Sequence, residues 1–76
     1  MRKFKFLGKE YSVKHKYKYV AADDSGEVYV YEEEPVWLPE FGEWLADGGD
    51  YVGTASKAMY NAGEDTLHEI SKSEIK

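Results

Sequence analysis

The chain has 76 residues, 42% of them apolar, with ten Lys plus Arg against fifteen Asp plus Glu and a net charge of −5. A chain this short hides only about 60% of the surface its unfolded form exposes, so it makes one small domain, and its acidity argues against a wholly basic nucleic-acid binder. It has no cysteine, which excludes disulfide staples, thiolate zinc sites and cysteine nucleophiles.

Residues 3–14 read as a β-hairpin. Lys3-Phe4-Lys5-Phe6-Leu7 and Tyr11-Ser12-Val13-Lys14 alternate polar and apolar side chains, the pattern of a strand with one buried face. Gly8, as the first central residue of Leu7-Gly8-Lys9-Glu10, suits a type II′ turn. That turn sets Leu7 opposite Glu10, Phe6 opposite Tyr11 and Phe4 opposite Val13. The rings then share one face, and Lys3, Lys5, Ser12 and Lys14 share the other.

Residues 17–33 carry the strongest structural signal, a second hairpin. Tyr17-Lys18-Tyr19-Val20-Ala21-Ala22 and Glu27-Val28-Tyr29-Val30-Tyr31-Glu32 are rich in β-branched and aromatic residues, which favour strands. Asp23-Asp24-Ser25-Gly26 between them suits a type I turn closed by a glycine bulge. This register sets Asp23 opposite Glu27, Val20 opposite Val30, Tyr19 opposite Tyr31 and Lys18 opposite Glu32. One face carries Val20, Ala22, Val28 and Val30, and the other Tyr17, Tyr19, Ala21, Tyr29 and Tyr31. Both are apolar enough to be partly covered, which places this hairpin at the centre of a sheet. His15-Lys16 is too short a joint for a helix, so the two hairpins are expected to run on as a meander.

Pro35, which has no ladder donor, ends the second hairpin. Residues 35–42, with Trp37 and Phe41, read as an irregular connection that folds over one sheet face as a lid. Residues 43–55 can form a third hairpin around Asp47-Gly48-Gly49-Asp50, which has the required turn residues. Residues 56–62 suit either helix or loop. Residues 65–72 read as a short helix, with acids at its start, Lys72 near its end, and Leu67 and Ile70 on one face; alone it is too short to persist. The two Trp, seven Tyr and three Phe compensate for the short chain, since each buried ring hides about 150–250 Å². A thin one-layer core with several half-exposed rings is expected.

Charge is segregated along the chain. Residues 1–19 hold seven basic residues against Glu10 alone, leaving +6; residues 20–76 hold three Lys against fourteen acids, leaving −11. Such asymmetry predicts a two-signed surface. The acidic, Trp-bearing stretch, above all Glu33, Glu34, Trp37, Glu40, Glu43, Asp47 and Asp50, reads as a surface that occupies a partner's basic groove. The alternative is a single-stranded nucleic-acid face of Lys3, Lys5, Lys14 and Lys16, with neighbouring rings for stacking. A plainer account is that lysines on an outer strand discourage edge-to-edge aggregation while acids keep the domain soluble.

Signatures of catalysis are missing. His15 and His68 lie far apart, and the sequence contains no HExxH, Walker-type, GxSxG or dinucleotide-binding motif. Asp23-Asp24-Ser25-Gly26-Glu27 lacks the alternating ligands and closing Glu of a calcium loop. A chain of this size is not expected to enclose a cofactor pocket of several hundred cubic ångströms. No apolar run approaches the roughly 20 residues of a membrane span, and no signal-peptide pattern opens the chain. The reading is therefore a non-enzyme with no cofactor, no metal and no membrane contact.

Lys18-Tyr19-Val20-Ala21, then Asp23, Gly26, Val28, Tyr29, Tyr31-Glu32 and Pro35, resemble the centre of a group of short tailed-bacteriophage proteins of unknown function. Trp44 and Tyr51-Val52-Gly53 match the downstream Trp and Tyr-[Leu/Val]-Gly strand of that group. Thr66-Leu67-His68-Glu69 keeps part of its closing Trp-x-x-Ser-Leu-x-Glu segment, without the Trp. The resemblance spans roughly residues 17–70 and attaches no activity and no functional residue. It implies a phage origin and a bacterial host cytoplasm.

Together these readings predict a small α+β domain, an antiparallel meander of four to six strands with one short C-terminal helix. The expected function is that of a non-enzymatic phage accessory protein binding a host or defence protein. The alternatives are the nucleic-acid binder and a self-assembling structural component. Exposed rings and an open sheet edge are compatible with a homodimer under each.

Overall fold

The structure, a computed structural model, describes residues 1–75. The first alternating stretch forms β1 (Arg2–Phe6) and β2 (Lys9–Val13), an antiparallel pair with Phe4 opposite Tyr11 and Phe6 opposite Lys9. The two faces are the expected ones, but the register differs from the predicted Phe6–Tyr11 pairing. Leu7 at φ 48° and Gly8 at φ 76° together make a two-residue loop. Positive φ at both central residues marks a type I′ turn, whose twist matches that of the flanking strands. Because side chains alternate with period two, this register keeps the rings on one face and Lys3 and Lys5 on the other.

The second hairpin keeps its predicted register from Tyr19 to Tyr31, but Tyr17 lies outside the strand and enters the core instead of the outer tyrosine face. In β3 (Tyr19–Ala22) and β4 (Glu27–Tyr31), Tyr19 faces Tyr31, Val20 faces Val30 and Ala22 faces Val28. Gly26 at φ 97° closes the turn, its N–H donating to Asp23 O at 2.9 Å while the Asp23 N–H donates to Glu27 O at 2.9 Å. Pairing ends at Tyr19 and Tyr31, so the predicted Lys18–Glu32 pair does not form. Glu32 instead approaches Lys16 at 3.6 Å.

These strands form the middle of a four-stranded antiparallel sheet in the order β7-β4-β3-β8, with β7 at Asp50–Thr54 and β8 at His68–Glu69. β1 and β2 do not join that sheet, as a meander would require. The chain turns between them, with the Tyr17 N–H on Lys14 O at 3.2 Å, and the first hairpin lays its rings on the sheet. The core comprises Phe4, Phe6, Tyr11, Val13, Tyr17, Val20, Ala22, Val28, Val30, Ala55 and Ile70. It lies between two layers instead of beneath one. Phe4 and Tyr11 stack within it at 5.5 Å between centroids.

The middle of the chain also departs from expectation. The supposed connection 35–42 supplies a strand, β5 (Val36–Leu38), which pairs with β6 (Glu43–Leu45). The predicted 43–55 hairpin is therefore split, because β6 pairs back with β5 while β7 pairs with β4. Gly42, at φ 64°, and Phe41 both donate their N–H to Leu38 O, at 2.9 and 3.1 Å, and this tight turn makes such short strands pair.

The predicted tail helix over 65–72 is absent. Residues 57–59 and 63–65 make 3-10 turns, His68–Glu69 adds to the edge of β3, and Ile70–Lys72 makes a third 3-10 turn. Tertiary partners outcompete a helix of marginal length. Ile70 is fully buried, its N–H donates to Lys18 O at 2.9 Å, and the Thr66 hydroxyl accepts the Ala22 N–H at 2.8 Å. Beyond it the tail reaches β1, where Ile75 N–H meets Lys3 O at 2.7 Å and the Arg2 guanidinium grips Glu74 at 3.0 Å. Gly63 is tied to this path. A Cβ there would lie 2.6 Å from Ala22 O and 2.9 Å from Asp24 N. Among the described residues the molecule is thus a small antiparallel β structure of eight strands and three 3-10 turns, without an α-helix.

Candidate protein-binding surface

Alternation along β5 and β6 sorts their side chains onto two faces. Trp37 and Trp44 are directly opposite one another, ring centroids 5.2 Å apart and planes inclined at 63°. Trp44 faces the sheet. Its indole N–H donates to Ala22 O and Gly63 O, both at 3.1 Å, and its backbone N–H donates to Asp23 Oδ1 at 2.9 Å. The Asp24 N–H donates to Gly42 O at 2.9 Å, tying the turn of this hairpin to the β3–β4 turn.

Because the tryptophans serve as anchors, Val36, Leu38, Glu43 and Leu45 take the other face. Val36 is 64% exposed and Leu45, its cross-strand partner, 60%; Phe41 at the tip is 70% exposed. Leu38, Pro39, Glu40 and Phe41 line a hollow of about 120 Å³ at that tip. Exposed apolar side chains grouped on one element mark an interaction surface more than the same side chains scattered singly. Sequence reasoning missed Val36, Phe41 and Leu45. Their signal was the alternation of Val36-Trp37-Leu38 and Glu43-Trp44-Leu45 on either side of a Pro- and Gly-bearing turn.

The acids singled out from sequence do not form one ridge. Glu33 and Glu34 are exposed in the link from β4 to β5, with Glu34 in a shallow hollow beside Tyr19, His68, Glu69 and Lys72. Glu40 is exposed at the hairpin tip and Asp47 in the loop leading to β7. Asp50 points to the core side, where its Oδ2 accepts a hydrogen bond from the Tyr17 hydroxyl. Trp37 is half-buried against Trp44 instead of displayed. Glu43 belongs to a different group, with Asp23, Asp24 and Glu27, around the β3–β4 turn. Asp23 is only 6% exposed. Burial pushes its carboxyl above the ordinary range, the Trp44 N–H works against this, and Glu43, Glu27 and Asp24 add to the rise. The Tyr31 hydroxyl is likewise driven far up, by burial first and then by Asp23, Tyr29 and Glu43.

The outer face of the first hairpin holds Lys3, Lys5 and Lys14, all exposed, with Lys5 directly opposite Glu10. Lys16 lies apart, paired with Glu32 and 5.2 Å from the Tyr17 ring centroid. Phe4, Phe6 and Tyr11 are at most 6% exposed and face the core, so the rings expected beside these lysines for base stacking are not on that face.

A concavity of about 560 Å³ forms a broad open groove between the β1–β2 loop and residues 59–73, lined by Lys5, Leu7, Met59, Asn61, Asp65 and His68 among others. Among the described residues no group of three or more His, Asp and Glu is placed to hold a metal ion, and no helix is long and apolar enough to cross a membrane. The chain matches no family model, no curated protein and no solved structure at a significant level.

Proposed function

We propose that this chain is a non-enzymatic bacteriophage accessory protein that acts in the bacterial host cytoplasm by binding a host or defence protein. The observation that carries the reading is the outer face of β5–β6. Val36, Leu45 and Phe41 stand exposed there on a hairpin fixed from behind by Trp44, with the exposed acids Glu40 and Glu43 on the same hairpin. An apolar centre with a charged rim is the usual anatomy of a protein interface. Anchoring on β3 keeps the hairpin ordered before binding, which lowers the entropy lost on association.

The test uses the tagged full chain as bait in host lysate, beside a Val36→Asp/Leu45→Asp variant. A specific partner is expected with the wild-type chain and not with the variant. If no partner is recovered and charge reversal at Glu33, Glu34 and Glu43 leaves every phage phenotype unchanged, the reading is wrong. The nucleic-acid alternative predicts salt-dependent binding of single-stranded oligonucleotides, and flat fluorescence titrations at low salt would remove it.

A further inference from the structure

The sheet face turned away from the core carries Tyr29, Tyr31 and Tyr51. Tyr29 faces Tyr51 across the β4–β7 pair, centroids 5.7 Å apart with planes inclined at 67°, and Tyr31 follows Tyr29 at 6.4 Å. Tyr51 is 55% exposed and its hydroxyl is held by Thr54 Oγ1 at 3.0 Å. Tyr29 is half-buried. Carboxylates stand near Tyr29 and Tyr31. Glu27 shares their face of β4, and the Tyr29 hydroxyl is pushed up by burial and then by Glu27, Asp23 and Glu43.

Elsewhere this fold places its own cations on tyrosine rings. Lys9 lies 5.6 Å from the Tyr11 centroid, Lys16 5.2 Å from Tyr17 and Lys57 5.2 Å from Tyr60. Lys57 also donates to Asp24 O in the β3–β4 turn. Among the described residues no cation lies over Tyr29 or Tyr51. Tyr51 is exposed, Tyr29 is half-buried, and Glu27 shares their face.

We propose that Tyr29 and Tyr51, with the carboxylates of Glu27 and Glu43, form a receptor for an arginine side chain carried by the protein partner. This rests on the protein-binding reading above and names the chemistry of that partner. A guanidinium is flat, stacks on tyrosine and pairs with carboxylates through a fork of N–H donors, so rings and acids each supply one half of its recognition. A negatively charged ligand is repelled by the same carboxylates.

The experiment is an NMR titration of the full chain, with labelled tyrosine rings, against a capped Gly-Arg-Gly peptide and a capped Gly-Glu-Gly peptide. The Arg peptide is expected to shift the Tyr29 and Tyr51 ring signals saturably, and the Glu peptide to leave them in place. Tyr51→Ala should weaken the Arg peptide about fivefold, and Glu43→Gln should weaken it comparably. Glu64→Gln, at an exposed residue outside the proposed surface, should change nothing, and unshifted Val20 and Val30 methyl signals confirm that each variant is folded. Absent ring shifts, shifts that persist in Tyr51→Ala, or shifts spread evenly over Glu33 and Glu34 would overturn the proposal. Ring shifts that depend on protein concentration alone would give the face to a second copy of the chain, and overturn it too. Failure here is separable from failure of the broader reading. Loss of the captured partner in the Val36→Asp/Leu45→Asp variant without any Arg-peptide binding sinks the receptor alone, whereas ring binding with no captured partner sinks the reading on which it rests.

Discussion

The β3–β4 and β5–β6 hairpins are built alike and buried differently. Each is short, antiparallel and crossed by a pair of like aromatic residues, Tyr19 with Tyr31 and Trp37 with Trp44. β3–β4 has a neighbouring strand on either side and side chains against it on both faces, so Val20, Ala21, Ala22, Val28 and Val30 have no exposed surface. β5–β6 has one face on the sheet and the other in solvent, and 60% or more of Val36 and Leu45 stays exposed. The difference separates the scaffold from the surface proposed to bind a partner. Burial on two sides determines stability, while one-sided burial leaves apolar side chains available to a partner at little cost to the fold.

The sharpest test of that contrast uses one residue type in two places. Phe4→Ala, in the fully buried core, should lower the unfolding free energy by about 3–5 kcal/mol, which is most of what so small a domain has. Phe41→Ala, at the exposed tip, should stay within about 0.5 kcal/mol of wild type yet weaken partner binding. Urea unfolding of both variants decides it, and equal losses would erase the distinction between the hairpins.

Next in size is the joint between them. Trp44→Phe removes the indole N–H from Ala22 O and Gly63 O and should cost about 1–3 kcal/mol. Amide exchange should then speed up through residues 36–45 while β3–β4 stays protected. Uniform acceleration would mean that the two hairpins unfold as a single unit.

A smaller gain is expected on the scaffold side. Tyr11 is buried and, among the described residues, its hydroxyl has no hydrogen-bond partner. Tyr11→Phe should therefore raise stability by about 1 kcal/mol, measured by the urea midpoint at unchanged slope; a loss would show that the hydroxyl is satisfied in solution.

The smallest effect is a pH dependence. The folded-state pKa of Asp23 is raised, chiefly by burial, so the folded chain holds this proton more tightly than the unfolded one. Its ionisation therefore costs stability as pH rises from the ordinary carboxylate value through the raised one, and the cost persists above that range. Asp23→Asn keeps an Oδ1 acceptor for the Trp44 N–H and should abolish this component. Wild type and variant differ most near neutral pH, with the variant the more stable, and converge in acid. A difference that grows in acid would reverse the assigned sign.

Legibility in the sequence followed local chemistry. Asp23-Asp24-Ser25-Gly26 permits few turns, so the register of Tyr19 with Tyr31 could be read directly. The faces of β1–β2 were equally legible, but a period-two pattern is unchanged by a two-residue shift, and nothing local announced Leu7 at φ 48°. The acidic surface was legible as composition only, since Asp50 turns to Tyr17 and Glu43 joins the β3–β4 turn. Val36 and Leu45 escaped notice because three-residue strands carry too little pattern to distinguish from a loop.

What the sequence alone determined is therefore the central ribbon, the sorting of rings from lysines on the first hairpin and the uneven spread of charge. All of these depend on neighbours within a few residues. Only the tertiary structure decided that β1–β2 lies on the sheet instead of extending it, that Trp44 turns inward so that Val36 and Leu45 turn outward, and that the tail completes an edge. Those outcomes depend on which distant backbone groups and apolar faces remain unsatisfied once the ribbon has formed, a competition that no local pattern records.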